Sequence, residues 1–210
     1  FDTPPRDLAL VVVIPIFNEL DLLDTLISLA KCKAPEGSIE IILVFNAVIG
    51  TPRKILDNNL EMKQKVENWI SENEALFFKI HIIEENWLPK KHAGVGLARK
   101  IGMDEAVRRF SLINKPDGII VCFDADSKCS SNYLEAIEKY FSEHGKIAAC
   151  SIYFEHLLYG DEFEEEIYHA IEHYELHLRY FKNGLAYANL PFAFHTVGSS
   201  MAVRVLDYCK

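Results

Sequence analysis

Three short runs dominated by aliphatic residues, Leu8 to Ile14, Ile39 to Phe45 and Ile119 to Phe123, constrain this chain more than any other feature. Each is too short to span a membrane and too continuous for a strand with one wet face, so each reads as a strand covered on both sides. Pro15 closes the first run, and Asn18 is placed to cap a helix that keeps Leu22, Leu23, Leu26, Ile27 and Ala30 on one face. Pro35-Glu36-Gly37-Ser38 is a turn leading into the second run. Strand, helix, strand is the opening of a parallel α/β sheet.

The remaining elements extend that sheet. A polar stretch from Thr51 to Phe78 contains a helix expected over about Leu60 to Ser71, and a fourth strand is expected at Lys79 to Ile83. A further helix opens near Gly94 and runs to about Phe110. In it Gly94, Ala98, Gly102 and Ala106 recur every four residues, so one side carries little bulk and can approach the sheet or a ligand closely. Pro116-Asp117-Gly118 introduces the third aliphatic run. Asn132 with Glu135 has capping-box spacing ahead of Tyr133, Leu134, Ile137, Tyr140 and Phe141. Ile147 to Phe154 is expected to be a strand.

From Asp161 to Lys182 the pattern predicts the longest helix, with an apolar seam of Phe163, Ile167, Ala170, Ile171, Tyr174, Leu178 and Phe181. That seam is expected to be buried against the sheet or a second copy of the chain. His169, His173 and His177 share a face at zinc-ligand spacing; the alternative is a solvated face. A last strand is expected within Val197 to Arg204.

Chemistry concentrates where the third run ends, in Asp124 and Asp126. Ligands of open α/β sheets collect at the carboxyl ends of strands, and two aspartates spaced i, i+2 offer hard oxygen ligands to Mg²⁺ or Mn²⁺. The plainer reading is that both cap a turn. A net charge of −9 without a basic block argues against a nucleic-acid groove. The five cysteines have no C-x-x-C spacing and read as reduced thiols of a cytosolic protein. Gly94-x-Gly96 lacks both the third glycine of a dinucleotide fingerprint and the Gly-Lys-Ser/Thr of a P-loop.

Four segments in order, Val12-Val-Ile-Pro15-Ile-Phe17-Asn18-Glu19, Gly94-x-Gly-x-Ala98-Arg99, Phe123-Asp124-Ala-Asp126 and Gly198-Ser-Ser-Met-Ala-Val-Arg204, resemble the motifs of family-2 glycosyltransferases. The resemblance covers nearly the whole chain. It implies the GT-A fold, a mostly parallel, Rossmann-like sheet flanked by helices in a single domain over residues 1 to 210. It implies hexosyl-type transfer from a nucleoside-diphosphate sugar to an unknown saccharide, lipid or protein acceptor, with Mn²⁺ or Mg²⁺ as cofactor. By the family's pattern Pro15, Ile16, Phe17, Asn18 and Glu19 line the nucleoside site together with Asn46, His92 and Arg99. Asp124 lies near the ribose, Asp126 with Asp124 holds the metal, and Gly198, Ser199 and Ser200 sit beside the transferred sugar.

Two departures accompany the likeness. Val44-Phe45-Asn46 stands where the family carries an aspartate pair that reads the base, and Lys100 replaces an asparagine after the Ala-Arg pair. The family's acidic base lies beyond the Gly-Ser-Ser segment, so it is expected past Lys210, with His195 the alternative. This stretch is accordingly expected to bind donor and to transfer poorly, in the cytoplasm or at the cytoplasmic face of a membrane. Two other readings stay open: a sugar nucleotidyltransferase, which would want a glycine- and arginine-rich loop where Phe17-Asn18-Glu19 stands, and a domain that binds nucleotide sugar without transfer.

Overall fold

The computed structural model describes residues 1–91, 93–195 and 197–210. Its centre is a six-stranded sheet built from β1 (Leu8–Ile16), β2 (Ser38–Val48), β3 (Phe78–Leu88), β4 (Ile119–Cys122), β5 (Ala149–Ser151) and β6 (Met201–Arg204), in the spatial order β3-β2-β1-β4-β6-β5. β1 pairs in parallel with β2 and β4, and β2 with β3, while β6 runs antiparallel to β4 and β5. The helices are α1 (Leu22–Ala30), α2 (Arg53–Glu72), α3 (Val95–Leu112), α4 (Tyr133–Glu143), α5 (Glu165–Tyr187) and the short α6 (Val205–Tyr208). The mostly parallel α/β sheet flanked by helices is the architecture expected from the aliphatic runs.

Side-chain alternation along β1 makes three layers. Leu10, Val12, Ile14 and Ile16 join the helices α1, α2 and α4, while Val11 and Val13 join α3. With both faces apolar, a slip by one residue would exchange one hydrophobic set for another, so alternation alone does not fix the register. Specific fixtures do. Glu40 in β2 is fully buried and takes a bidentate ion pair from Arg109 of α3, itself without exposure. His81 of β3 lies 3.4 Å from the same carboxylate, and the Phe1 ring stacks on His81 at 4.5 Å. Burial opposes ionisation of Glu40, but the hydrogen bonds from Arg109, with His81 alongside, outweigh it and hold the carboxyl at about 2. The second fixture is steric: a Cβ on Gly102 would collide with Val13 Cγ1 and reach Val44 Cγ2 at 3.0 Å, so the small-residue side of α3 lies directly on β1 and β2.

Several boundaries differ from expectation. Pro15 lies inside β1 rather than closing it, which the geometry permits because β4 pairs only as far as Val13. α2 and β3 are longer than the pattern indicated, and β5 keeps only three residues of the expected Ile147 to Phe154 strand. Asn132 occupies the N-cap position of α4 without a side-chain cap bond, its Oδ1 accepting instead from Ser130 Oγ at 2.8 Å. The largest difference concerns α5. It is the longest helix, yet Phe163, just ahead of it, and Ile167, Tyr174 and Phe181 are 43–57% exposed, and only Tyr168 and Glu175 are buried on it. The seam is therefore not packed on the sheet. Its anchors are local: Glu175 accepts from the His156 backbone N–H and pairs with Arg179, and the Tyr168 hydroxyl accepts from the Glu162 N–H. His169 faces Glu165 and Glu172, and no cluster of three metal-ligating side chains occurs among the described residues, so the zinc reading of His169, His173 and His177 has no support here. No described helix is long and apolar enough to cross a membrane.

Candidate functional site

Chain order reverses at β1: β2 and β3 follow on one side and β4 lies on the other, which leaves a crevice at the carboxyl ends of the strands. A cleft of about 420 Å³ occupies that place. β1 contributes Pro15 and, just past its end, Phe17 and Glu19; β2 contributes Asn46 and Val48; the entry to α3 contributes Ala93, Gly94 and Val95; and the segment after β4 contributes Asp124, Ala125 and Asp126. Gly94 has φ +147, a backbone setting that L side chains rarely adopt, so the wall where α3 begins stays bare.

The acidic end of the cleft is charge-crowded. Burial raises the Glu19 carboxyl, and Asp126, Asp124 and Asp21 raise it further by repulsion. Asp124 is the neutralised member, its Oδ1 accepting from Arg99 Nη2 at 2.8 Å. Asp126 is exposed, and its Oδ1 accepts only a long bond of 3.4 Å from the neighbouring Ser127 hydroxyl.

Helix α1 supports this acidic segment through a polar edge that the apolar periodicity concealed. Thr25 Oγ1 donates to the Ala125 carbonyl at 2.7 Å, and Ser28 Oγ accepts from the Cys129 N–H at 3.3 Å. Just past the helix, the Lys33 N–H donates to the Ser131 carbonyl at 2.7 Å. Helix α2 supports the other lip. Asn59 accepts the Asn18 N–H at 2.9 Å and donates to the Asn46 carbonyl at 3.3 Å, and Asn58 donates to Asn18 Oδ1 at 2.8 Å. Asn46 donates to the Ile16 carbonyl at 2.7 Å, which locks β1 to β2 at the rim and commits one of its amide hydrogens. Thr25, Ser28, Asn58 and Asn59 were missed in the sequence because each lies within a helix; a polar residue repeating at i, i+3 on the apolar side of α1 was the available signal.

Of the residues assigned from sequence, Pro15, Phe17, Glu19, Asn46, Asp124 and Asp126 line the cleft. Ile16 does not: strand alternation sends its side chain into the core, with no exposure. Asn18 neither lines the cleft nor caps α1, whose N-cap is Asp21; at φ +57 it turns the chain and points back to α2. Arg99 lies behind Asp124 rather than on the lining, and a Cβ on Gly198 would come within 2.7 Å of Arg99 Nη1, so Gly198 is tied to the site through that guanidinium. Ser199 and Ser200 also lie off the lining, with the Ser200 carbonyl accepting from the Ile152 N–H at 2.7 Å. His195 sits by Phe154, ring centroids 6.3 Å apart, and does not line the cleft. His92 falls outside the described residues.

The family model described as glycosyl transferase family 2 matches residues 11–205. The chain belongs to that family. Its sheet and flanking helices are those of the GT-A fold. Comparison with curated proteins returns no match. Among solved structures, this family-2 chain is similar to residues 1–349 of TarS from S. aureus at 19% identity and a TM-score of 0.47, over 74% of this chain and 38% of TarS 1–349. The complex of TarS 1–349 with UDP-GlcNAc gives the same identity and TM-score over 74% and 37%. Mouse xyloside xylosyltransferase 1, in its apo form, is similar at 14% identity and a TM-score of 0.41, over 97% and 69%. The chain thus spans under two fifths of TarS 1–349.

Proposed function

We propose that this family-2 domain binds a nucleoside-diphosphate sugar, of hexosyl type, in the cleft at the ends of β1, β2 and β4 and serves its transfer to an acceptor. The observation that carries the reading is convergence: an aromatic face at Phe17, an amide at Asn46 and the carboxylates Asp124 and Asp126 open onto one cleft of about 420 Å³, within the 300–1,000 Å³ range of small-molecule sites. Phe17 offers a face for a base, Asn46 an amide oxygen for base or ribose, and the glycine-bordered start of α3 room for phosphates against backbone N–H groups.

The donor set suits a small hard cation. Two carboxylates, with no cluster of three metal-ligating side chains among the described residues, suit Mg²⁺ or Mn²⁺, which keep several waters and share coordination with substrate phosphates. The repulsion that raises Glu19 is the imbalance such a cation relieves. Asp126 with Asp124 would hold it, and when bound it would offset charge on the departing nucleoside diphosphate. Arg99 orients Asp124, and the α1 edge orients the Asp126 segment. His195 stands off the lining, which speaks against it as the acceptor-activating base. A cytoplasmic setting goes with the free thiols and the nucleotide-sugar donor.

Thermal shift against UDP-, GDP- and dTDP-sugars, with and without Mn²⁺, tests the reading. A donor at about 100 times its Kd adds ~2.7 kcal/mol, or roughly 5–10 °C for a chain of this size. No shift with any donor in the presence of Mn²⁺ would overturn it.

A further inference from the structure

Away from the cleft lining, the support under the acidic segment holds two sulfurs in contact. Cys32, immediately after α1, and Cys129, in the connection from β4 to α4, have Sγ atoms 3.5 Å apart. Their backbones are already brought together by other bonds: the Lys33 N–H donates to the Ser131 carbonyl at 2.7 Å, and the Cys129 N–H donates to Ser28 Oγ at 3.3 Å. Neighbouring groups also hold the sulfurs. Ser28 Oγ lies 3.6 Å from Cys129 Sγ, and Cys32 Sγ donates to the Ser130 carbonyl at 3.5 Å. Cys129 is half-buried and faces a surface hollow of about 410 Å³ bordered by Lys31 and Lys128, which gives a small oxidant access. The contact splits the pair: it lowers the Cys32 thiol to about 7, toward the form that reacts, and raises that of Cys129, so Cys32 is the attacking sulfur and Cys129 the resolving one.

From this contact we infer that Cys32 and Cys129 are a modification site: a dithiol that a peroxide converts to an intrachain disulfide, making the hold of α1 on the segment after Asp126 covalent. One sulfur attacks a peroxide oxygen and releases water, giving a sulfenic acid; the second sulfur displaces a second water. Two thiols and one hydrogen peroxide thus yield one disulfide and two waters. Closure needs the sulfurs to approach from 3.5 Å to about 2.05 Å. The other cysteines differ: Cys122 is fully buried in β4, with burial pushing its thiol up to about 11, and Cys209 is exposed, with no thiol partner among the described residues. The site does not depend on the donor reading, so a chain that binds no nucleotide sugar can still form the bond.

The test is oxidation of the intact chain with hydrogen peroxide at about one equivalent, alkylation of the remaining thiols, and mass spectrometry of the tryptic peptides. The expected product joins Cys32-Lys33 to the peptide Cys129 to Lys139, about 2 Da below the sum of the reduced peptides. It should vanish in Cys32→Ser and in Cys129→Ser. In the oxidised parent, amide exchange at Ser127 to Ser131 should slow relative to the reduced chain. Peroxide consumed by Cys209 or Cys150 while Cys32 and Cys129 stay alkylatable would overturn the assignment, and so would a linked product with unchanged exchange at Ser127 to Ser131.

Discussion

The sheet half and the α5 arm spend their side chains in opposite ways. In the sheet half even charged groups are buried, and they are paired: Glu40 and Arg109 face one another with no water-facing surface to spare. In the arm, apolar groups stay in water: Tyr180 is 78% exposed, Tyr187 93% and Phe192 73%. Buried charge is tolerated only with partners, whereas exposed apolar surface on this scale marks a face that the chain does not itself cover. Order in the first region is set by long-range contacts, and in the second by bonds such as that between Glu175 and the His156 N–H, nineteen residues apart.

That contrast breaks most visibly at Arg109. Arg109→Ala leaves the Glu40 charge buried without its partner and should cost about 3–5 kcal/mol in urea unfolding, while replacing Glu40 and Arg109 together by apolar residues should recover most of the loss. A loss below about 1 kcal/mol for the single variant would mean the sheet half does not rest on its buried pair.

Acid probes the same pair without mutation. The folded pKa of Glu40, about 2, lies below its ordinary value of 4.5, so its stabilisation is fully present above about pH 4.5 and is lost as pH falls toward 2. The loss should be on the order of 3 kcal/mol in urea titrations across that window. Glu40→Gln should flatten this limb.

Asp126→Asn should leave the melting temperature unchanged and weaken Mn²⁺-dependent nucleotide binding by at least the ~10–100-fold that loss of a supporting partner costs a metal site. Calorimetry giving equal Mn²⁺-dependent affinities for variant and parent would detach the cleft from metal chemistry.

The smallest effect belongs to the arm. Ile167→Ala and Phe181→Ala should each change stability by less than about 0.5 kcal/mol, because both side chains are already wet. A cost of 2 kcal/mol that rises with protein concentration would show instead that a second copy covers the seam.

What was readable from sequence follows the same division. The continuous runs at Leu8, Ile39 and Ile119 announce strands buried on both faces, and the spacing of Gly94, Ala98, Gly102 and Ala106 announces a helix lying close to the sheet. Strand-end position singled out Asp124 and Asp126, and the family resemblance Phe17 and Asn46; all four line one cleft. Periodicity could not say what the α5 seam faces, since an amphipathic stripe records that a partner is wanted and not where it is. Nor could it show what the Thr25 and Ser28 edge holds or where Asn18 turns, since the partners lie a hundred or forty positions away.

Gly102 lies two turns along α3 from Gly94 and Val95, which wall the cleft. Because α3 bears directly on Val13 and Val44 at that point, the helix works as a beam resting on a pivot. A methyl group at residue 102 would lift the beam, and its free end would swing the cleft wall relative to Asp124 and Asp126. The aperture offered to a ligand is thus gauged by the glycine at which the helix touches the sheet.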